Sequence, residues 1–169
     1  KIFNDRDFAE KLSAMGCRLS SANSINIGRL VPQVAYYVYG YAKLVERGQI
    51  KAGDPVNIVV PTGNFGNILA AYYAGKMGIP VKKFICASNK NKVLTDFFNT
   101  GVYDINREFY LTNSPSMDIL ISSNLERLLY HLSGNDGEEI SRLMTALEQE
   151  KKYEVSDKIR EGLKDFYGG

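Results

Sequence analysis

The stretch from Val56 to Ala87 leaves this chain few folds to choose from. Val56-Asn57-Ile58-Val59-Val60 is a short β-branched run, the composition expected of a buried parallel strand. A loop punctuated by Gly and Asn follows, Pro61-Thr62-Gly63-Asn64-Phe65-Gly66-Asn67, then a helical run from Ile68 to Ala74 that closes at Gly78, then a second strand from Val81 to Ala87. Strand, loop, helix and strand in about thirty residues match the length of a βαβ crossover, whose two strands lie parallel in one sheet. The predicted fold class is α/β, a sheet layered between helices.

The flanks read as mostly helical. Phe8, Leu12 and Met15 recur at helical spacing, with Asp5 as N-cap and Gly16 as the stop. Cys17-Arg18-Leu19 is a brief extended piece entering the polar segment Ser20 to Asn26. Asn26 caps a long apolar helix that ends before Gly48, in which Pro32 is tolerated if the first turn lies close by and kinks the helix otherwise. Tyr36, Tyr37, Tyr39 and Tyr41 read as packing residues. Beyond the crossover, the pattern predicts a helix over Val93 to Phe98 stopped near Gly101, a strand at Glu108 to Leu111, and helices over Asp118 to Leu132, Gly137 to Glu150 and Ser156 to Phe166.

Charge and cysteine content exclude several partners. The 169 residues carry 21 Lys+Arg against 19 Asp+Glu, so no broad basic field exists to neutralise a nucleic-acid backbone. The most apolar stretch, Ile27 to Val45, is interrupted by Arg29, Pro32, Gln33 and Lys43 and predicts no membrane span. Cys17 and Cys86 stand far apart without a neighbouring ligand at metal spacing, which predicts no metal site and a reduced, cytoplasmic chain. The start at Lys1-Ile2-Phe3-Asn4-Asp5 has neither an initiator Met nor a signal sequence, so the chain is expected to begin mid-protein or to have been processed.

Three places could carry chemistry. Gly63 to Asn67 joins the carboxyl end of a strand to a helix N-terminus, where ligands gather in open α/β sheets and free amides make an anion site. It is neither a Walker A loop nor G-x-G-x-x-G, so these residues alone leave two readings, a phosphate cradle or an ordinary βα turn. Arg29 falls in the first turn of its helix, where the dipole disfavours a cation by a few tenths of a kcal/mol; an anion near Asn23 and Ser24 would explain it, and so would plain solvation. His131, the single histidine, sits late in a helix and reads as structural.

Taken in order, five blocks resemble threonine synthase: Ser21 to Gln33, Pro61 to Ile68, Ala87-Ser88-Asn89-Lys90-Asn91-Lys92-Val93-Leu94, Ser114-Pro115-Ser116-Met117-Asp118-Ile119, and Ser123-Asn124-Leu125-Glu126-Arg127. The resemblance spans residues 1 to about 130. It implies a fold type II, tryptophan synthase β-like architecture that binds pyridoxal 5′-phosphate, with residues 1–48 as a remnant of the smaller domain and crossover helix. Residues 49–169 would then be part of the larger domain, ending in a helical extension. It implies a β,γ-replacement in which O-phosphohomoserine and water give threonine and phosphate. Gly63, Asn64, Phe65, Gly66 and Asn67 match the family loop whose backbone amides hold the cofactor phosphate, and Asn23, Ser24 and Arg29 match the residues that grip the substrate phosphate. Asn89 and Asp118 lie in family blocks without an assigned role.

The family's Schiff-base lysine motif, its upstream Ser/Thr-rich carboxylate loop and its downstream hydroxyl residue do not occur here. The chain is therefore expected to be an internal piece of a lyase, inactive alone and needing the missing N- and C-terminal parts. Two rivals stand beside this reading. One is another type II enzyme, a cysteine-synthase-like sulfhydrylase or a dehydratase; the other is a catalytically dead module that binds phosphate or a partner. Uncovered sheet edges and helix faces would make such a piece self-associate.

Overall fold

The computed structural model describes residues 5–169; residues 1–4, on which part of the N-terminal reading falls, lie outside it. Helix α1 spans Arg6–Ala14, capped by Asp5, whose side chain accepts from the Phe8 amide at 3.0 Å. Helix α2 spans Ile27–Glu46, and Asn26 caps it by accepting from the Gly28 amide at 2.8 Å. Both caps fall where the sequence puts them, because a short carbonyl side chain satisfies one of the orphan amides of a first turn. Pro32 is the sixth residue of α2, past the first turn, so one intrahelical bond is missing there.

The crossover forms as expected: strand β1 (Val56–Pro61), helix α3 (Gly66–Lys76) and strand β2 (Val81–Ala87), with β1 and β2 parallel. Helix α3 is buried nearly all round, with Ile68, Leu69, Ala70 and Ala71 fully so, which accounts for its uniformly apolar face. Helix α4 (Val93–Thr100) ends at Gly101, whose φ of 77° is the left-handed stop. Strand β3 (Val102–Asp104), helix α5 (Leu125–Leu132), helix α6 (Gly137–Glu150), strand β4 (Lys152–Glu154), helix α7 (Asp157–Gly162) and strand β5 (Phe166–Gly168) complete the chain. A parallel sheet ordered β1-β2-β5 and an antiparallel pair β3-β4 result.

Four expectations are corrected. Val56–Val60 is not a buried strand: β1 is an edge of the sheet, and Val59 is 60% exposed. Glu108 to Leu111 forms no strand, because the side-chain amide of Asn91 donates to the Tyr110 carbonyl at 2.8 Å and accepts from the Tyr110 amide at 2.9 Å, supplying the bonds a neighbouring strand would. The helix expected from Asp118 begins only at Leu125; Pro115–Met117 is a single 3₁₀ turn, and Asp118 is committed to side-chain bonds described below. The final helix stops at Gly162, and the residues after it enter the sheet. Phe166 there stacks on Phe84 with ring centroids 4.8 Å apart, so burial of an aromatic pair outweighs helical continuation. The tail thus contains two strands besides its helices.

Apolar residues of α2, including Val31 and Tyr39 at 57% and 65% exposure, stand uncovered, and β1 is an edge of its sheet. This chain is expected to associate with itself in solution, and sedimentation as a dispersed monomer at micromolar concentration would contradict that expectation.

Candidate phosphate-binding site

The loop from Gly63 to Asn67 lies at the carboxyl end of β1 and the start of α3. Its carbonyls are pinned from one side. Ser122 Oγ donates to the Gly63 carbonyl at 2.9 Å; the backbone and side-chain amides of Asn124 donate to the Asn64 carbonyl at 3.1 and 2.8 Å. The Leu69 amide donates to the Phe65 carbonyl at 3.1 Å. Phe65 adopts φ 64° and buries its ring between Phe98 and Phe166, with centroids 6.1 and 6.2 Å away. A non-glycine residue in this conformation is strained by itself, and the aromatic packing holds it there.

With the carbonyls engaged, the amides are left over. Among the described residues, no acceptor meets the backbone N–H of Gly63, Asn64, Phe65, Gly66, Asn67 or Ile68. No side chain caps α3 either. Six successive donors at the positive end of an eleven-residue helix face a cleft of about 170 Å³ lined by this loop, Ser24 and Gln33. A phosphate group fits that donor set, since it brings the charge and acceptor oxygens that the orphan amides lack. Among the described residues, no lysine lines the cleft.

Gly63 has no room for a side chain. A Cβ there would lie 2.1 Å from the Ser116 carbonyl oxygen, so the 3₁₀ turn closes one wall of the loop by direct backbone contact. Asp118 holds that turn. Its carboxylate accepts from the Thr112 amide at 2.8 Å, the Thr112 hydroxyl at 2.8 Å, Asn89 Nδ2 at 2.6 Å and Asn91 Nδ2 at 3.1 Å. The two blocks without a role in the sequence therefore form one polar knot beneath the loop. The Thr112 amide foremost, with the other donors behind it, holds the Asp118 carboxyl below its ordinary value of 3.8.

A lowered native value means that the stabilisation is complete above the unfolded value and is lost as pH falls through the native one. Asp118→Asn is expected to be less stable than the parent at pH 7, with the gap narrowing as pH drops below 3.8. Urea denaturation across a pH series reads this, and a gap that persists unchanged in acid contradicts it.

Of the other sequence candidates, Asn23 and Ser24 lie in the turn ahead of α2 and Arg29 in the first turn of the helix itself. Asn23 Oδ1 accepts from the Ile25 amide at 3.0 Å, and Arg29 Nη1 donates to the Ala22 carbonyl at 3.0 Å. Ser24 is the member of this trio that lines the cleft with the loop; Asn23 and Arg29 do not. Asn67 turns its side chain to α2, donating to Gln33 Oε1 at 3.0 Å and accepting from the Tyr37 hydroxyl, so α2 is tied to the start of α3. His131 meets Tyr73, ring nitrogen to hydroxyl at 3.0 Å, and stands in a groove between α5 and α6.

Ser116 and Asn124 fall in blocks that carry the family resemblance but have no role assigned there, and Ser122 falls in none. A Ser-Ser-Asn run before a helix signals capping, yet the structure shows that Asn124 does not cap α5 with its side chain.

The parallel sheet with its flanking helices is the fold of the type II pyridoxal-phosphate enzymes, here matched in solved structures of threonine synthase. The pyridoxal-phosphate-bound threonine synthase from Brucella melitensis superposes with a TM-score of 0.85 at 40% identity, over 99% of this chain and 34% of that one. No protein-family model matches the chain. Threonine synthase-like 1 from Homo sapiens is 52% identical over 99% of this chain and 23% of its own length; threonine synthase from Saccharomyces cerevisiae is 39% identical over 98% and 32%. The chain is a homologue of the threonine synthases and spans about a quarter to a third of the length of these relatives.

Proposed function

We propose that this chain is the phosphate-holding part of an enzyme that converts O-phosphohomoserine and water to threonine and phosphate with pyridoxal 5′-phosphate. The observation that carries the reading is the row of six unengaged amides from Gly63 to Ile68, beside which the Gly63, Asn64 and Phe65 carbonyls are already engaged. Those amides would hold the cofactor phosphate. Pyridoxal phosphate, when bound, supplies an electron sink for carbanion chemistry.

Asn23, Ser24 and Arg29 would grip the substrate phosphate, the leaving group. Arg29 suits this because its planar fork can engage two phosphate oxygens and offset charge as the phosphate departs. Its bond to the Ala22 carbonyl draws the guanidinium toward the turn in the meantime. Among the described residues no lysine lines the cleft, so by itself the chain would bind without turning substrate over, and the rest of the enzyme would supply the missing group. A reduced, cytoplasmic setting is proposed on the two unpaired cysteines, of which Cys86 is buried.

The test is product analysis of the full-length protein that carries this chain. Release of equal threonine and inorganic phosphate from O-phosphohomoserine supports the reading. Activity instead in sulfide exchange or in threonine deamination would transfer it to another type II enzyme, and failure to bind pyridoxal phosphate at all would favour the module without catalysis.

A further inference from the structure

Asn124 is fully buried, and its side-chain amide has two N–H donors. One goes to the Ser24 carbonyl at 3.0 Å, 100 residues away in sequence; the other goes to the Asn64 carbonyl at 2.8 Å, 60 residues away. Its Oδ1 accepts from Arg127 Nη1, and Arg127 Nη2 donates to the Ile25 carbonyl at 2.6 Å. A single buried carboxamide thus spans the turn at Ser24 and the loop at Asn64, with the Arg127 guanidinium locking its orientation. No side chain of similar shape replaces it: aspartate accepts only, and leucine does neither.

We infer that Asn124, oriented by Arg127, is a positioning residue that couples the two phosphate-binding segments, so that filling one pre-orders the other. The inference rests on the proposed function for the identity of the two segments. A buried bridge between the Ser24 turn and the Asn64 loop, added to the tie that Asn67 makes to Gln33 and Tyr37 of α2, is a physical route for such coupling, because ordering one end removes freedom that the other would lose on binding. For the enzyme this makes cofactor loading a precondition for tight capture of the substrate phosphate. It also explains why a carboxamide, costly to bury unpaired, stands at the start of α5.

The experiment is hydrogen exchange on the full-length protein with pyridoxal phosphate as the probe. In the parent, exchange at the Gly63–Ile68 amides and also at Ile25, Asn26 and Gly28 is expected to slow by about tenfold, in the range of ordinary coupling. In Asn124→Leu, the first set slows and the second does not. Arg127→Met loosens the bridge from its half-exposed end, and it serves where Asn124→Leu fails to fold. It is expected to lower the second effect while sparing the first, and Arg127→Lys to restore part of it. Protection of Ile25 to Gly28 that survives both substitutions overturns the inference and leaves the proposed function standing. If the parent shows no protection at Gly63–Ile68, the proposed function itself falls and this inference with it.

Discussion

Gly63→Ala is expected to cost this chain about 3 kcal/mol of stability and to weaken anion binding at the loop by at least roughly tenfold. The added methyl would sit 2.1 Å from the Ser116 carbonyl oxygen, inside any real contact distance. Backbone strain plays no part, since Gly63 does not have a positive φ. Two rigid backbones must separate, and the Ser116 turn is held by the four donors on Asp118, so the loop is the side that yields. Gly40→Ala provides the contrast: Gly40 lies inside α2 with nothing within 4 Å of its Cβ, and the substitution should stabilise by about 1 kcal/mol through helix propensity. Urea midpoints and pyridoxal-phosphate titrations of the two variants report both effects, and a Gly63→Ala protein that binds and folds as the parent does would mean the contact is not what shapes the loop.

Gly168→Ala is the second large effect. A Cβ there would lie 2.3 Å from Thr95 Cα and 2.7 Å from Thr95 Cβ, which places the backbone of β5 directly against α4. Around it the chain end is stitched to β2: Phe84 donates to the Asp165 carbonyl at 2.8 Å, Gly169 to Cys86 at 3.1 Å and Ser88 to Gly169 at 2.6 Å. Forcing β5 outward would break these bonds and separate Phe166 from Phe84, a loss of about 3 kcal/mol or roughly 6–12 °C in Tm. The Cys86 thiol gives a second readout. Burial pushes its pKa up to about 11, so it is expected to resist alkylation at pH 8 in the parent and to react in Gly168→Ala. A variant with unchanged Tm and an unreactive Cys86 would contradict this account of the tail.

The crossover was legible because its signals are local: a β-branched run, a glycine stop and cap residues act within a few positions of themselves. Asp5, Asn26 and Gly101 do what their types predict. What the sequence concealed depends on partners distant along the chain. Tyr110 looked like strand because nothing local reveals that the Asn91 carboxamide takes both its backbone bonds. Phe166 looked helical because its reason for being a strand is Phe84, brought beside it by the fold.

The site divides along the same line. Gly63 to Asn67 could be recognised as a possible anion loop, but the donors that engage its Gly63 and Asn64 carbonyls come from Ser122 and Asn124, about 60 residues on. Arg29 reaches back from the first turn of α2 to the turn that holds Asn23 and Ser24, while the links from this segment to the loop run through Asn124 and Asn67, partners that no local pattern pairs with it. Gly63 itself could have been an ordinary turn glycine; the Ser116 carbonyl is what makes it necessary.

The most direct test of the central claim is an amide NMR titration of this chain with pyridoxal 5′-phosphate, using unphosphorylated pyridoxal as the comparison. Saturable shifts are expected at Gly63 through Ile68 that pyridoxal does not reproduce, with no lysine converted stoichiometrically to a pyridoxyl adduct after borohydride reduction. Shifts that cluster elsewhere, or one lysine labelled in full, would contradict that claim.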